Sequence, residues 1–233
     1  MEMNGGGPKK AGKYSVIEPL EKGIKVLPPS INNAQYLPQG VVFARAAVPG
    51  FGSCFFNSFL YLTDPEYSKL SQKQMEQRGR AFRKEFGALL DGDWHEFLQQ
   101  EDPEKEFPEF HNQPLKVVRS WFNKPEYWAN TLIIKYVAKH MDVDIVFVDA
   151  TIADVYCGIL PEHGEQARKT IFIFWVEREH FEPMFRVLEV LDQHSTKCVL
   201  KIQTDFFPGK DDDIINQMRK YHKSKCKLPH FKV

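Results

Sequence analysis

A glycine-containing hinge followed at once by a cysteine constrains this chain more than any other feature of its sequence. The apolar run at residues 40–48 ends in Pro-Gly-Phe-Gly-Ser at 49–53, and Cys54 opens a second apolar run that continues to Leu60. The first run predicts an extended segment and the second a helix, so Cys54 is expected at a helix N-terminus. Unpaired N–H groups and the helix dipole favour a thiolate there. The alternative is a cysteine that only fills the core.

The composition predicts an intracellular protein, and we expect no cofactor. The 233 residues include 31 basic and 31 acidic ones, a balance that gives no overall reason to expect a nucleic acid or a membrane as partner. No stretch approaches the length of apolar sequence that a membrane span needs. The four cysteines show no C-x-x-C spacing, which disfavours a disulfide framework and indicates a reducing compartment. We therefore expect a soluble cytoplasmic monomer.

The chain is expected to contain one folded domain with a short segment at each end. Residues 1–12 are Gly-rich and predict a disordered leader, residues 13–205 the domain, and residues 206–233 a C-terminal helix with a basic tail. The tail could attract an acidic partner or act in nuclear import, although a solvated chain end is the simpler interpretation. No further domain is expected within this length.

Two pairs of metal-binding residue types lie near the C-terminus. His194 is followed by Cys198, and Cys226 by His230, each with three residues between them. Nitrogen and sulfur ligands of this kind suit zinc, so a zinc site is kept as an alternative. We expect no metal, because structural zinc sites usually show tighter Cys or His pairs.

Helical patterns come early in the chain and strand patterns come late. Helices are predicted at 54–62, at 71–90 after a Ser-x-x-Gln capping box, in short pieces between 92 and 124, and at 125–141. Strands are predicted at 143–148, 170–177, 184–191 and 198–203. This order predicts an α+β fold in which a sheet packs against a helical lobe.

A second candidate for chemistry, His180, lies in the charged turn after the strand predicted at 170–177. Catalysis by a cysteine needs an imidazole to take and return its proton, a group that orients the imidazole, and donors for an oxyanion. Cys54 on a helix and His180 at a strand end would face each other where the helical lobe meets the sheet. Taken alone, His180 is more simply a surface histidine.

Three blocks of the sequence together resemble the ovarian-tumour (OTU) family of papain-like cysteine proteases, which remove ubiquitin or related modifiers. They are Gly-x-Cys-Phe-x-x-Ser at 52–58, a Trp-led helix and strand at 128–148, and His-aromatic-x-Pro at 180–183. Their order and spacing are more specific than any single block. The resemblance implies the papain-like OTU fold, with a central mixed sheet packed between a helical lobe and further helices. It also suggests a divergent viral branch that acts in the host cytoplasm.

The same resemblance implies a deubiquitinating thiol protease and assigns roles to its site residues. Cys54 would be the nucleophile and His180 its acid and base partner. Phe181 would line the channel that admits the Gly-Gly end of ubiquitin, polyubiquitin or a ubiquitin-like modifier. The oxyanion hole would be formed by the backbone N–H groups of Phe51, Gly52, Ser53 and Cys54.

Two departures from the family pattern leave the third catalytic residue open. Phe51 stands where the family commonly has Asp, and its side chain cannot orient an imidazole. Glu182 stands where relatives have Asp or Asn, and we expect it to orient His180, with Asp149 or no third residue as alternatives. Phe51 also motivates a rival function, a ubiquitin-binding module with little catalysis. A cysteine enzyme with an unrelated acyl substrate is a further rival.

Overall fold

The computed structural model describes most of the chain. The described residues are 14–17, 23–32, 37, 40–149, 154–159, 169–177, 179–191, 199–206, 214 and 217. The leader predicted at 1–12, both His/Cys pairs and most of the tail predicted at 206–233 lie outside the described residues, so these expectations stay predictions. Across the described ranges, no helix has the length and hydropathy that crossing a membrane requires.

The seven helices with described bounds lie before residue 141, and Ile214 and Gln217 are also helical. The seven are α1 (Pro29–Asn32), α2 (Cys54–Thr63), α3 (Gln72–Leu89), α4 (Asp93–Glu101), α5 (Pro108–His111), α6 (Leu115–Trp121) and α7 (Thr131–His140), with a 3₁₀ turn at Tyr67–Lys69. The helix predicted to start at Cys54 is confirmed. So is the capping box of α3, in which the Ser71 hydroxyl accepts from the Gln74 amide and the Gln74 side chain accepts from the Ser71 amide.

The helix predicted at 125–141 is shorter than the sequence pattern indicated. It begins only at Thr131, where the side chain of Asn130 caps it by accepting a hydrogen bond from the backbone N–H of Ile133. The preceding residues form turns, and the carbonyl of Tyr127 accepts from the Arg83 guanidinium instead of from a helical amide. Trp128 therefore lies before the helix, and its side chain is exposed.

Eight strands form one mixed sheet within the described ranges. They are β1 (Tyr14–Ile17), β2 (Ile24–Val26), β3 (Val42–Ala46), β4 (Val143–Asp149), β5 (Asp154–Ile159), β6 (Lys169–Val176), β7 (His180–Leu191) and β8 (Val199–Gln203). The β4–β6 pair is parallel, and β7 pairs antiparallel with β6, β3 and β8 along its length. The predicted α+β class is confirmed, although β7 begins at His180 rather than Met184.

The sheet separates two apolar layers because successive side chains of a strand point to opposite faces. On β4, Ile145 and Phe147 join the core shared with α2, α3 and α7, whereas Val146 and Val148 join a second core with α1. Helix α2 lies on β7, where the Ser58 hydroxyl donates to the Phe181 carbonyl at 2.9 Å. This contact brings the first residue of α2 beside the first residues of β7.

Candidate active site

Cys54 is buried and also lies at a helix start. It is therefore both a core residue and a thiol at a helix N-terminus, the two alternatives that its sequence context predicted. It is the first residue of α2 and only 6% exposed. The backbone groups of Phe181 on β7, of Phe55 and of Cys54 itself all act to lower the pKa of its thiol. Its thiol therefore sits at the seam between the helix and the sheet rather than deep within either layer.

The protonation of the Cys54 thiol is set by two opposing effects. Burial raises its pKa, while the three backbone groups and the positive charge of Arg83 lower it, and burial is the largest effect. The net result is a pKa above the ordinary value of a thiol. The unliganded protein therefore keeps this proton at neutral pH, and a nearby base must remove it for the sulfur to attack.

His180 faces the same hinge as Cys54. The Nδ1–Cε1 edge of its ring lies 3.9 Å from the position that a Cβ at Gly50 would occupy, and the Val48 backbone acts to raise the pKa of the ring. The backbone of the next residue, Phe181, acts to lower the pKa of the Cys54 thiol. The two residues predicted for catalysis thus lie at the same hinge, although they are 126 positions apart in the sequence.

The Glu182 carboxylate lies beside His180 and also forms an ion pair with an arginine. Its Oε1 is 3.9 Å from the Nε2 of His180, and its Oε2 is paired with Nη1 of Arg45 on β3. The Arg45 guanidinium also stacks on the Phe174 ring, at 5.4 Å from the ring centroid. One carboxylate oxygen therefore faces the imidazole while the other is held by a cation on a neighbouring strand.

The imidazole of His180 is favoured in its neutral form. Burial lowers its pKa, Glu182 and the Val48 backbone oppose this effect, and the charge of Arg45 adds to it. The resulting pKa lies below the ordinary value for histidine. At neutral pH the ring can therefore accept a proton from a thiol, which is the state that a general base requires.

The reserve candidate, Asp149, lies farther from the imidazole. It ends β4, and its register partner on β6 is Trp175, which in turn pairs with Phe181 on β7. Adjacent strands are about 4.8 Å apart, so Asp149 is two strand spacings away from β7. Glu182 is the carboxylate beside His180.

The backbone conformation of the hinge explains why residue 52 is a glycine. Gly52 has a φ of +73°, and a Cβ there would lie 1.6 Å from the Pro125 carbonyl oxygen. Phe51 also has a positive φ, +53°, and its side chain is 71% exposed, pointing to solvent. The Ser53 amide donates to the Gly50 carbonyl at 3.2 Å. Of the four amides expected to bind an oxyanion, that of Ser53 is therefore already engaged, and those of Phe51, Gly52 and Cys54 remain.

Phe181, predicted to line the substrate channel, has a buried side chain. Its side chain is 6% exposed and packs among the rings of Phe55, Phe147 and Trp175, because the alternation of β7 turns it toward the helical layer. It packs as a core residue beneath the site, and its role in a substrate channel stays a prediction. Its backbone acts on the site by lowering the pKa of the Cys54 thiol.

Two buried polar residues that fix the hinge were not identified from the sequence. Asn57 donates from Nδ2 to the Pro49 carbonyl at 2.6 Å and accepts from the Tyr67 hydroxyl at 2.8 Å. Arg83 donates to the Gly52 carbonyl at 2.9 Å. The available signal was a polar residue at a core position, since Asn57 interrupts an apolar run and Arg83 falls on the buried face of α3.

Groups of three or more His, Cys, Asp or Glu side chains that could hold a metal ion are not found among the described residues. The structure therefore adds no ligand set to the two His/Cys pairs of the sequence.

Comparison with known proteins finds similarity at the level of solved structures. A scan against protein-family models gives no match, and neither does a search of the curated proteins. An OTU domain in complex with ubiquitin is 17% identical with a TM-score of 0.46, over 80% of this chain and 90% of that chain. The OTU domain protease of Dera Ghazi Khan virus is 15% identical with a TM-score of 0.43, over 72% and 98%.

The OTU of Hazara virus, bound to ubiquitin, is 14% identical with a TM-score of 0.42, over 78% of this chain and 95% of that chain. All three are OTU domains, the family that the three blocks of the sequence resemble.

Proposed function

We propose that this protein is a cysteine-type deubiquitinase that hydrolyses the (iso)peptide bond after the C-terminal Gly-Gly of ubiquitin or a ubiquitin-like modifier. The observation that carries the proposal is the meeting of Cys54, at a helix start, and His180, at a strand start, on one glycine hinge. The reaction class follows from this pair, because a thiol beside a neutral imidazole suits acyl transfer. The substrate class is taken from the resemblance of the sequence blocks to the OTU family.

In the first half of the proposed reaction, His180 takes the thiol proton as the Cys54 sulfur attacks the carbonyl carbon of the terminal glycine. The oxyanion that forms accepts hydrogen bonds from backbone amides of Cys54 and the hinge residues Phe51 and Gly52. The tetrahedral intermediate then loses the amine, which takes the proton from the imidazolium of His180. A thioester between Cys54 and the modifier remains.

In the second half, water replaces the amine. His180 removes a proton from the water as its oxygen attacks the thioester carbon, and the sulfur leaves and recovers the proton from the imidazolium. The modifier departs with a free carboxylate. Glu182 holds the Nε2 side of the ring throughout, so that the Nδ1 edge stays turned to the hinge.

A ubiquitin probe with an electrophile at its C-terminus tests the proposal. We expect a covalent one-to-one adduct with the native protein and none with Cys54→Ala, measured by mass spectrometry. Cys157→Ser is the matched control and is expected to form the adduct like the native protein. With an amide-linked ubiquitin substrate, Cys54→Ala should lower turnover by a factor on the order of 10⁴ or more. Hydrolysis that survives Cys54→Ala would contradict the proposal.

A ubiquitin-binding module is the second candidate. It is favoured by the pKa of Cys54, which burial raises, and by the engagement of one Glu182 oxygen with Arg45. Tight reversible binding of ubiquitin without an adduct would support the module. An adduct that excess free ubiquitin fails to compete would instead indicate an unrelated acyl substrate.

A further inference from the structure

Arg83 is a buried cation whose hydrogen bonds all go to the main chain. It lies on α3 with 3% of its surface exposed, among the apolar residues of the buried helix face. Its guanidinium donates to the backbone carbonyls of Gly52 at 2.9 Å and Trp121 at 3.2 Å, and also to those of Lys124 and Tyr127. Burying a guanidinium is costly unless its donors are satisfied, and here the carbonyls of two separate segments do so.

These hydrogen bonds join the hinge to the loop that follows α6. A Cβ at Gly52 would stand 1.6 Å from the Pro125 carbonyl oxygen, so the hinge rests directly on this loop, and Arg83 bonds to both. The two segments are far apart in the chain, so no local turn can join them as the guanidinium does. Loss of the guanidinium would leave four partly buried carbonyls without this donor.

The peptide group between Gly52 and Ser53 is held from both sides. Arg83 binds its carbonyl oxygen, and its N–H donates to the Gly50 carbonyl at 3.2 Å. Farther back in the hinge, Asn57 holds the Pro49 carbonyl at 2.6 Å. The amides expected to bind an oxyanion, those of Phe51, Gly52 and Cys54, therefore lie on a backbone fixed at both ends.

The charge of Arg83 also reaches the sulfur. It lowers the pKa of the Cys54 thiol, against the larger effect of burial, while Glu126 and, to a lesser extent, a Cys54 thiolate oppose the effect of burial on the pKa of Arg83. Burial lowers the pKa of Arg83 to about 10, so the guanidinium stays charged at neutral pH. A fixed cation near a buried thiol favours the thiolate that nucleophilic attack requires.

We infer that Arg83 is a positioning residue of the active site: it fixes the hinge that presents the oxyanion-binding amides, and it places a permanent positive charge near the Cys54 sulfur. This inference rests on the proposed acyl-transfer function. Arg83 acts through the hinge and the electrostatic field and does not touch the substrate. Positioning of this kind affects the turnover number more than substrate binding, because the oxyanion forms only as the reaction proceeds.

The test compares Arg83→Gln and Arg83→Lys with the native protein. Arg83→Gln removes the charge, whereas Arg83→Lys keeps the charge and loses the planar fork of donors. Arg80→Gln, which changes an exposed arginine of the same helix, is the matched control. The rate of Cys54 alkylation by iodoacetamide is measured against pH, together with kcat and KM on a ubiquitin substrate and the circular dichroism of each variant.

We expect Arg83→Gln to move the pH profile of alkylation to higher pH and to lower kcat by about 100-fold with KM within about threefold. Arg83→Lys should keep the alkylation profile near that of the native protein and lower kcat by about 10-fold. The control should match the native protein in both measurements. If Arg83→Gln does not fold, the kcat of Arg83→Lys still tests whether the planar guanidinium positions the hinge.

Native kcat in a folded Arg83→Lys variant, or a native alkylation profile in a folded Arg83→Gln variant, would overturn the inference. Alkylation needs no ubiquitin, so its pH profile tests the effect of Arg83 on the thiol even if the native protein fails to cleave the modifier. Failure of the proposed function and failure of this inference are thereby distinguished.

Discussion

The hinge that carries Cys54 and the strand that carries His180 meet at one site but are held by different interactions. On the hinge side, the buried side chains of Asn57 and Arg83 bind main-chain carbonyls. On the strand side, His180 depends on Glu182, which is shared with the partly exposed Arg45. Buried hydrogen bonds to the backbone are insensitive to salt and pH, whereas a partly exposed ionic pair responds to both.

This difference separates two requirements of the proposed reaction. The oxyanion-binding amides need a rigid position, which the hinge obtains from neutral acceptors and a cation that stays charged. The imidazole needs a pKa suited to proton transfer, which depends on the charges around it. Changes on the hinge side should therefore affect stability and turnover, and changes on the strand side should shift the pH dependence.

The largest effect is expected for Gly52→Ala, which tests the rigidity of the hinge side. The new Cβ would lie 1.6 Å from the Pro125 oxygen at a φ of +73°, so the hinge must move. We expect a loss of about 2 to 4 kcal/mol in the free energy of unfolding and at least a 100-fold loss of turnover. Denaturant unfolding and hydrolysis of a fluorogenic ubiquitin substrate measure the two effects.

Gly92→Ala is the matched control for this substitution. Gly92 has a φ of −57°, and a Cβ there meets no atom within 4 Å. Its free energy of unfolding should stay within about 1 kcal/mol of the native value. Equal stability and activity for Gly52→Ala would show that the hinge is not held as described.

Glu182→Gln tests the strand side by removing the carboxylate beside the imidazole. We expect kcat/KM to fall by about 10- to 100-fold, because the ring loses its orienting group. The negative charge of Glu182 raises the pKa of His180, so its loss lowers that pKa and moves the acidic limb of the pH–rate profile to lower pH. Glu179→Gln, in the neighbouring turn, is the control and should keep native activity. Full activity of Glu182→Gln would instead favour Asp149 as the residue that orients His180.

Arg45→Gln should shift the acidic limb of the pH–rate profile in the direction opposite to Glu182→Gln, with a smaller effect on the rate. The positive charge of Arg45 lowers the pKa of His180, so its removal raises that pKa and moves the acidic limb to higher pH. We expect a loss of about two- to fivefold in kcat/KM at neutral pH, since the pair is partly exposed. Arg45→Lys should keep the native profile, and an unshifted limb in Arg45→Gln would contradict the proposed sharing of Glu182.

The smallest effect is expected for Phe51→Gly. Phe51 has a positive φ that costs a non-glycine residue about 1 kcal/mol, and glycine removes this strain while adding backbone entropy to the unfolded chain. We expect a change in stability of at most about 1 kcal/mol and turnover within about threefold. A rise of tenfold or more in KM would instead show that this exposed ring contacts the substrate.

The sequence predicted what depends on local patterns. Helix α3 follows from the Ser71–Gln74 capping box and the spacing of Phe82 and Phe86, all within one segment. The end of α2 and the strands β4 and β6 also follow from local signals. The predicted start of α7 was wrong because the turns before Thr131 are stabilised by Arg83. This residue belongs to another helix, and no local pattern connects it to those turns.

For the candidate site, the sequence indicated the two residues proposed to react more readily than the residues that hold them in place. Cys54 and His180 follow from the hinge, the turn and the resemblance of the sequence blocks. The pairing of Glu182 with Arg45 joins residues 137 positions apart, and only the register of β3 with β7 brings them together. The inward direction of Phe181 likewise depends on where β7 starts, which the sequence placed four residues too late.

A crystal structure of the covalent adduct with the electrophilic ubiquitin probe tests the pairing of Cys54 with His180 most directly. We predict the probe on the Cys54 sulfur, the Nδ1 edge of His180 within about 3.5 Å of that sulfur, and Glu182 on the Nε2 side of the ring. An adduct on another residue, or an imidazole turned away from the sulfur with Glu182 bound to Arg45 alone, would contradict the account.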